Sequence, residues 1–144
     1  MIRRAIEKDR QAVIEMMRDF YSSDAVMAPV PEENFTLTFD ECLKSDVYAD
    51  LLICEDAGEV LGYALTAKTF SNEAGGMVTW IEELYIRPQS RGKGAGHELL
   101  NALLSQKRAR FRLEVELENT GAVRLYESYG FKFFEYDQMI LEEM

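Results

Sequence analysis

Apolar residues recur along the chain with two periods, and the switches between those periods lay out the elements. Val13, Met16, Met17 and Phe20 follow the i, i+3, i+4, i+7 stripe of an amphipathic helix, after a short extended start at Ile2 to Ile6. Ser22 to Glu33, with Pro29 and Pro31, interrupts the stripe, and a second helix is expected from about Phe35 to Lys44, where Phe39 and Leu43 share a face with Cys42 close by. Leu51 to Glu55 and Val60 to Lys68, separated by Asp56-Ala57-Gly58-Glu59, read as two antiparallel strands around a hairpin. After the turn Asn72 to Gly76, Met77 to Arg87 makes a long strand that Pro88 stops. Leu99, Leu100, Leu103 and Leu104 mark a third helix. Phe111, Leu113, Val115 and Leu117 alternate with Arg112, Glu114, Glu116 and Glu118 as a half-exposed strand does. Ala122, Leu125, Tyr126 and Tyr129 give a last helix with Gly130 at its left-handed end, and Phe131 to Leu141 is expected to return as one or two strands. The pattern predicts an α/β fold: a mixed, mostly antiparallel central sheet flanked by helices.

Composition narrows this to one domain over residues 1–144. The 144 residues are 47% hydrophobic and 29% charged, enough to bury one core but not two, and neither disorder nor a membrane span fits. The start Met-Ile-Arg-Arg-Ala-Ile runs into a helical pattern without the apolar core of an export signal, so a cytoplasmic location is expected. Cys42 and Cys54 stand twelve apart with neither CxxC spacing nor clustered histidines, which predicts buried reduced thiols and no metal site. Sixteen Lys and Arg against 26 Asp and Glu give a net charge of −10, which argues against nucleic acid as a partner. That charge suits a small cationic substrate and equally serves solubility.

The stretch Arg91-Gly92-Lys93-Gly94-Ala95-Gly96 packs three glycines and two cations before the leucine helix. A helix start exposes about four backbone N–H groups and roughly half a positive charge, a natural seat for phosphate. Glycines let a ligand approach that backbone, and Arg91 and Lys93 add charge at the rim, so the expected ligand is a diphosphate. A Walker loop is excluded because Gly94, not Ser or Thr, follows Lys93; the dinucleotide fingerprint is excluded because the glycines read GxGxG after an antiparallel strand.

Glu82-Glu83-Leu84-Tyr85-Ile86, then Arg87-Pro88, then RGKGAG and the leucine helix, resemble the acetyl-CoA-binding core of the GNAT superfamily of N-acetyltransferases. Glu118-Asn119-Thr120-Gly121-Ala122 followed by Leu125-Tyr126-Glu127-Ser128-Tyr129-Gly130-Phe131 resembles that superfamily's next motif at the expected distance. The resemblance implies acetyl-CoA as cosubstrate, with backbone groups of Leu84, Tyr85 and Ile86 pairing with the pantetheine arm and the turn from Arg91 to Gly96 binding the diphosphate. Ala95 departs from the pattern, standing where a bulkier aliphatic residue is common. Asn119 matches a residue that contacts the pantetheine arm, and it is also a good helix N-cap. Tyr126 matches the tyrosine placed near the sulfur, where its hydroxyl could protonate the departing thiolate.

An alkyl amine has a pKa near ~10.4, so neutralising it at pH 7 costs about 4 to 5 kcal/mol and calls for a base. In a regular strand Glu82 shares a face with Val78, Trp80, Leu84 and Ile86, an anomaly that desolvation would turn into a base. Glu82 is therefore the expected base, with Glu83 as the alternative, since a bulge, which the family uses to admit the cofactor, would shift the parity and present Glu83 instead. No Ser, Cys or His constellation suggests an acyl-enzyme, and the single His97 reads as a solvated first-turn residue. Direct attack in a ternary complex is therefore expected, on a primary amine of a small acceptor. A protein N-terminus or lysine is the alternative acceptor, and a non-catalytic acyl-CoA sensor the alternative function. Ser22 to Thr38, with Tyr21, Met27 and Phe35, is the expected acceptor region, and the edges of so small a sheet would allow a homodimer.

Overall fold

The computed structural model describes residues 1–23 and 29–143, which form two compact units, Met1–Glu114 and Val115–Met144. The first unit holds a five-stranded sheet in the order β1-β2-β3-β4-β5, built from β1 (Ile2–Arg4), β2 (Ala49–Asp56), β3 (Glu59–Ser71), β4 (Gly76–Ile86) and β5 (Arg110–Leu113). All neighbours run antiparallel except β4 and β5, which are parallel. Helices α1 (Arg10–Tyr21) and α2 (Glu33–Lys44) fill the connection from β1 to β2, and α3 (Ala95–Leu104) the connection from β4 to β5.

Period-2 alternation divides the sheet into two buried faces. On one, Val13, Met16 and Met17 of α1 and Phe35, Phe39 and Cys42 of α2 pack with Leu51, Ile53, Tyr63, Leu65 and Tyr85. On the other, Leu99, Leu100 and Leu103 of α3 are buried, and the Cys54 Sγ lies 3.4 Å from Glu98 Oε2. Both cysteines are free and buried. Among the described residues no helix is long and apolar enough to cross a membrane, and no group of three His, Cys, Asp or Glu could hold a metal ion.

Two expected strands differ. β5 ends at Leu113 instead of continuing to Glu118, and Leu117 is exposed. No strand is found among residues 131–143; Phe133, Phe134, Tyr136, Ile140 and Leu141 are exposed. Alternation marks a segment able to be a strand, but a strand exists only where a neighbour hydrogen-bonds to it. The second unit carries α4 (Thr120–Ser128), capped by Asn119 Oδ1, which accepts from the Ala122 N–H at 3.3 Å.

An ion pair ties β1 to the start of α1. The Arg3 guanidinium donates two bonds to Asp9, at 2.8 and 2.9 Å, and two to Glu55 on β2, at 2.9 and 3.2 Å. Asp9 is only 2% exposed and also accepts the Ile6 N–H at 2.8 Å; with Arg3 as the main cause, its carboxyl is held below its usual range. Asp9→Asn should cost about 3 kcal/mol at pH 7 in urea denaturation, the low end for breaking a buried pair. A depressed folded-state pKa stabilises fully above the unfolded value, so the wild type's advantage should begin to shrink below about pH 4 and be lost as pH falls through the lower folded-state value. A cost that is negligible or independent of pH would count against this role.

Candidate active site

The two middle strands keep register from Gly62↔Ile86 to Leu65↔Glu83, then resume at Thr66↔Ile81. β4 therefore has one extra residue, Glu82, opposite a continuous β3: a bulge. Before it, Val78 and Trp80 pair with Thr69 and Ala67; after it, Glu83 and Tyr85 pair with Leu65 and Tyr63 on the α1/α2 face. Parity flips. Glu82, which a regular strand would place on the apolar face, is exposed, while Glu83 is 5% exposed.

Glu83 is a buried carboxylate with both oxygens engaged. The Tyr63 hydroxyl donates to Oε1 at 2.7 Å and the Tyr21 hydroxyl donates to Oε2. Desolvation raises its pKa; the two hydroxyls pull the other way, and the nearby Glu82 charge adds to the rise. The net shift is upward because burial penalises the anion more than two neutral donors stabilise it. Glu82 is shifted upward too, by partial desolvation among its neighbours and then by Glu114. A second carboxylate–tyrosine pair lies alongside: Tyr85 donates to Asp19 of α1, and burial pushes its phenol to about 12. Phe20 packs edge-on to Tyr21 and Tyr85, and Tyr21 stacks on Phe35 with ring centroids 5.5 Å apart.

The backbone at the end of β4 is open on one side. β5 pairs only with Val78 to Ile81, so Glu82 to Ile86 have no strand partner there among the described residues. Leu84 and Ile86 are half-buried and Tyr85 is buried. The glycine turn follows. Gly92 and Gly94 have φ of +78° and +90°, with nothing within 4 Å of where a Cβ would stand. Gly94 is the N-cap of α3 and, having no side chain, makes no cap bond there, so the helix start keeps backbone N–H groups able to donate to a ligand or to water. Lys93 is exposed, Gly96 half-buried and Ala95 buried under the turn. Arg91 does not stand free at the rim: its Nε donates to the Ile86 carbonyl at 2.8 Å and its guanidinium lies 5.5 Å from the Tyr85 ring centre. An open strand edge leading to a glycine-lined helix start fits an extended arm ending in a diphosphate.

A family model described as the acetyltransferase (GNAT) family matches residues 10–131. The chain belongs to that family. An L-methionine sulfoximine/L-methionine sulfone acetyltransferase of Pseudomonas aeruginosa is 33% identical over 110 residues, 72% of this chain and 62% of that protein. The chain spans less than two thirds of the length of the curated relatives it matches. A possible acetyltransferase from Clostridium difficile superposes with a TM-score of 0.85 at 20% identity, covering 100% of this chain and 97% of that one. An aminoglycoside N-acetyltransferase in complex with CoA does so at 0.79 and 16%, covering 100% and 95%. At those identities the two structures speak to the fold alone.

The GNAT sequence motifs thus fall in two units. Glu82, Glu83, Leu84, Tyr85, Ile86 and the turn from Arg91 to Gly96 are brought together in the first. Asn119 and Tyr126 belong to the second, where Asn119 is an N-cap and burial pushes the half-buried Tyr126 phenol to about 12. Of the expected acceptor residues, Tyr21 and Phe35 lie beside Glu83's cluster, and Met27 lies outside the described residues. Tyr63 and Asp19 went unnoticed in the sequence. Their signal was faint: a tyrosine inside a β3 run that otherwise reads as simple alternation, and an aspartate one turn from the end of α1.

Glu83 couples folding to pH. A group whose folded pKa is raised contributes fully below its unfolded value, about 4.3 for Glu, and that contribution is lost as pH rises through the folded pKa. In thermal denaturation from pH 4 to 9, Glu83→Gln should therefore gain on the wild type as pH rises across the weakly acidic range. A difference that stays constant with pH would show that Glu83 is not shifted.

Proposed function

We propose that the chain is an acetyl-CoA-dependent N-acetyltransferase that acts on the primary amine of a small molecule, with Glu83 as its general base. The observation that carries the reading is a desolvated carboxylate beside Glu82 to Ile86, a length of β4 that has no strand partner on its β5 side among the described residues. Its raised pKa narrows the gap to the ammonium it must deprotonate. The neutral amine then attacks the thioester carbonyl carbon directly, and the C–S bond breaks as the tetrahedral intermediate collapses. Backbone N–H groups from Leu84 to Ile86 are suited to hold the thioester oxygen during attack. The turn from Arg91 to Gly96 would hold the diphosphate of the cosubstrate. For Tyr126 the role remains the one the family motif implies, donor to the departing thiolate; a phenol at about 12 holds its proton at neutral pH, as a donor must. The small-molecule acceptor is supported by the relative that acetylates amino-acid analogues.

Thiol release from acetyl-CoA, run against amino acids and their analogues, polyamines, aminoglycosides and peptides, tests the reading and finds the acceptor. Glu83→Gln should lower kcat/KM for the best amine by about 10²- to 10⁴-fold, the usual worth of a positioned base, with coenzyme A affinity nearly unchanged. Glu82→Gln should have less than a tenth of that effect. The reverse ranking would move the base to Glu82.

Gly94→Ala tests the turn. A left-handed alanine costs about 1 to 2 kcal/mol, so if the ligand requires that backbone, coenzyme A affinity should fall by roughly tenfold in calorimetry. Unchanged affinity would exclude the turn as the diphosphate seat.

A further inference from the structure

The two hydroxyls on Glu83 are not equivalent. Tyr63 is 0% exposed, sits in the middle of β3 opposite Tyr85, and its ring lies 6.0 Å from that of Tyr85. Withdrawing it from Oε1 would open the core. Tyr21 is the last residue of α1, half-buried, and is followed by the turn at Ser22. Its ring is held by aromatic contacts to Phe20 and Phe35, and its hydroxyl by Glu83. Oε1 is thus bound by a fixed group, and Oε2 by a group at the end of a helix.

That asymmetry bears on how the base is reached. An ionised carboxylate has about four acceptor positions and the two hydroxyls fill two of them, but with Glu83 only 5% exposed the packed cluster leaves an incoming ammonium no open approach to the rest. One donor has to yield, and the packing decides which.

We propose that Tyr21 and Tyr63 form a clamp on Glu83 in which Tyr63 is the fixed half and Tyr21 the displaceable half, so that the acceptor amine reaches the base at Oε2 by taking the place of the Tyr21 hydroxyl. This rests on reading Glu83 as the base. The ammonium donates to Oε2, its proton passes to that oxygen, and the products are a neutral amine and a carboxylic acid still held at Oε1 by Tyr63. Tyr21 is then a residue that sets acceptor access, and Tyr63 a positioning residue that fixes the carboxyl plane.

Among the described residues, the titratable groups that act on Glu83 are Tyr21 from α1, Tyr63 from β3 and Glu82 from β4; Tyr85 with its partner Asp19, and Cys42 of α2, belong to the same buried layer. Burial raises the three phenols and pushes the Cys42 thiol to about 11, so these four stay protonated over the working range. Both clamp hydroxyls stabilise the charged form of Glu83, so removing either one must raise its pKa.

The test compares Tyr21→Phe, Tyr63→Phe and Glu83→Gln with the wild type, using the best amine from the acceptor panel. Each Phe variant should move the acidic limb of the kcat/KM profile upward by at least half a pH unit. Only Tyr21→Phe should also lower the acceptor KM, by threefold or more, because the amine no longer displaces a hydroxyl. Tyr63→Phe should leave that KM within twofold. An acceptor KM that is unchanged or raised in Tyr21→Phe, or an acidic limb that does not move, overturns the proposal. An equal fall in acceptor KM in Tyr63→Phe overturns the asymmetry. Should Tyr63→Phe not fold, Tyr21→Phe alone decides between the first two outcomes. Glu83→Gln separates the two levels: an acidic limb that survives in it removes the base itself, whereas a limb lost in it but unmoved in Tyr21→Phe removes only the clamp.

Discussion

One extra residue in β4 sets the arrangement of the first unit's chemistry. With Glu82 bulged against a continuous β3, every later β4 side chain changes face, so Glu83 and Tyr85 enter the layer under α1 and α2 while Leu84 and Ile86 turn toward α3. Without the bulge, Glu83 would share a face with Ile81, on the α3 side, away from Tyr21 and Tyr63. The bulge also lies where the pairing with β5 ends, at Ile81↔Leu113. A single insertion in the pleat thus accompanies both a desolvated carboxylate on one face and, among the described residues, a backbone edge along the strand without a strand partner.

That placement is costly, and the surroundings show how it is tolerated. A buried carboxylate survives only with hydrogen bonds, and here the donors are neutral phenols instead of an arginine. A cation at the same distance would have driven the pKa down, as Arg3 does for Asp9 in the same unit. The contrast between two buried acids is one of partner, not depth: Asp9 is fixed as an anion for structure, whereas Glu83 is left able to take up a proton. Arginine is present nearby, but Arg91 is occupied with the Ile86 carbonyl and the Tyr85 ring.

Much of this was legible in the chain, and the omissions have physical causes. The stripes Val13–Phe20 and Leu99–Leu104 and the hairpin from Leu51 to Lys68 were readable because burial on one side imposes a period on local sequence. The glycine turn was readable because few sequences need three bare positions ahead of a helix. Which of Glu82 and Glu83 lies inside was not, since parity can be counted only along an unbroken pleat and a bulge leaves no residue signature here. Phe131 to Leu141 has strand-like alternation but no strand pairing, because local pattern does not name a hydrogen-bonding neighbour. Tyr63 escaped notice for a related reason: its partner Glu83 is twenty residues away, across a pairing that only the register reveals.

The energetics of the proton explain why this balance of burial and hydrogen bonding suits a base. Transfer from an ammonium to a carboxylate is uphill by about 1.36 kcal/mol for each unit separating their pKa values. Burial of Glu83 closes part of that gap, and the two tyrosines reopen part of it in exchange for holding the carboxylate in one orientation. The phenols can play this part only while they stay protonated, and the same burial that raises Glu83 also raises Tyr21 and Tyr63. One cause, exclusion of water from the layer beneath α1 and α2, therefore makes the base stronger and its holders more reluctant to ionise. An ammonium reaching Oε2 would meet a carboxylate that burial has pushed toward accepting its proton.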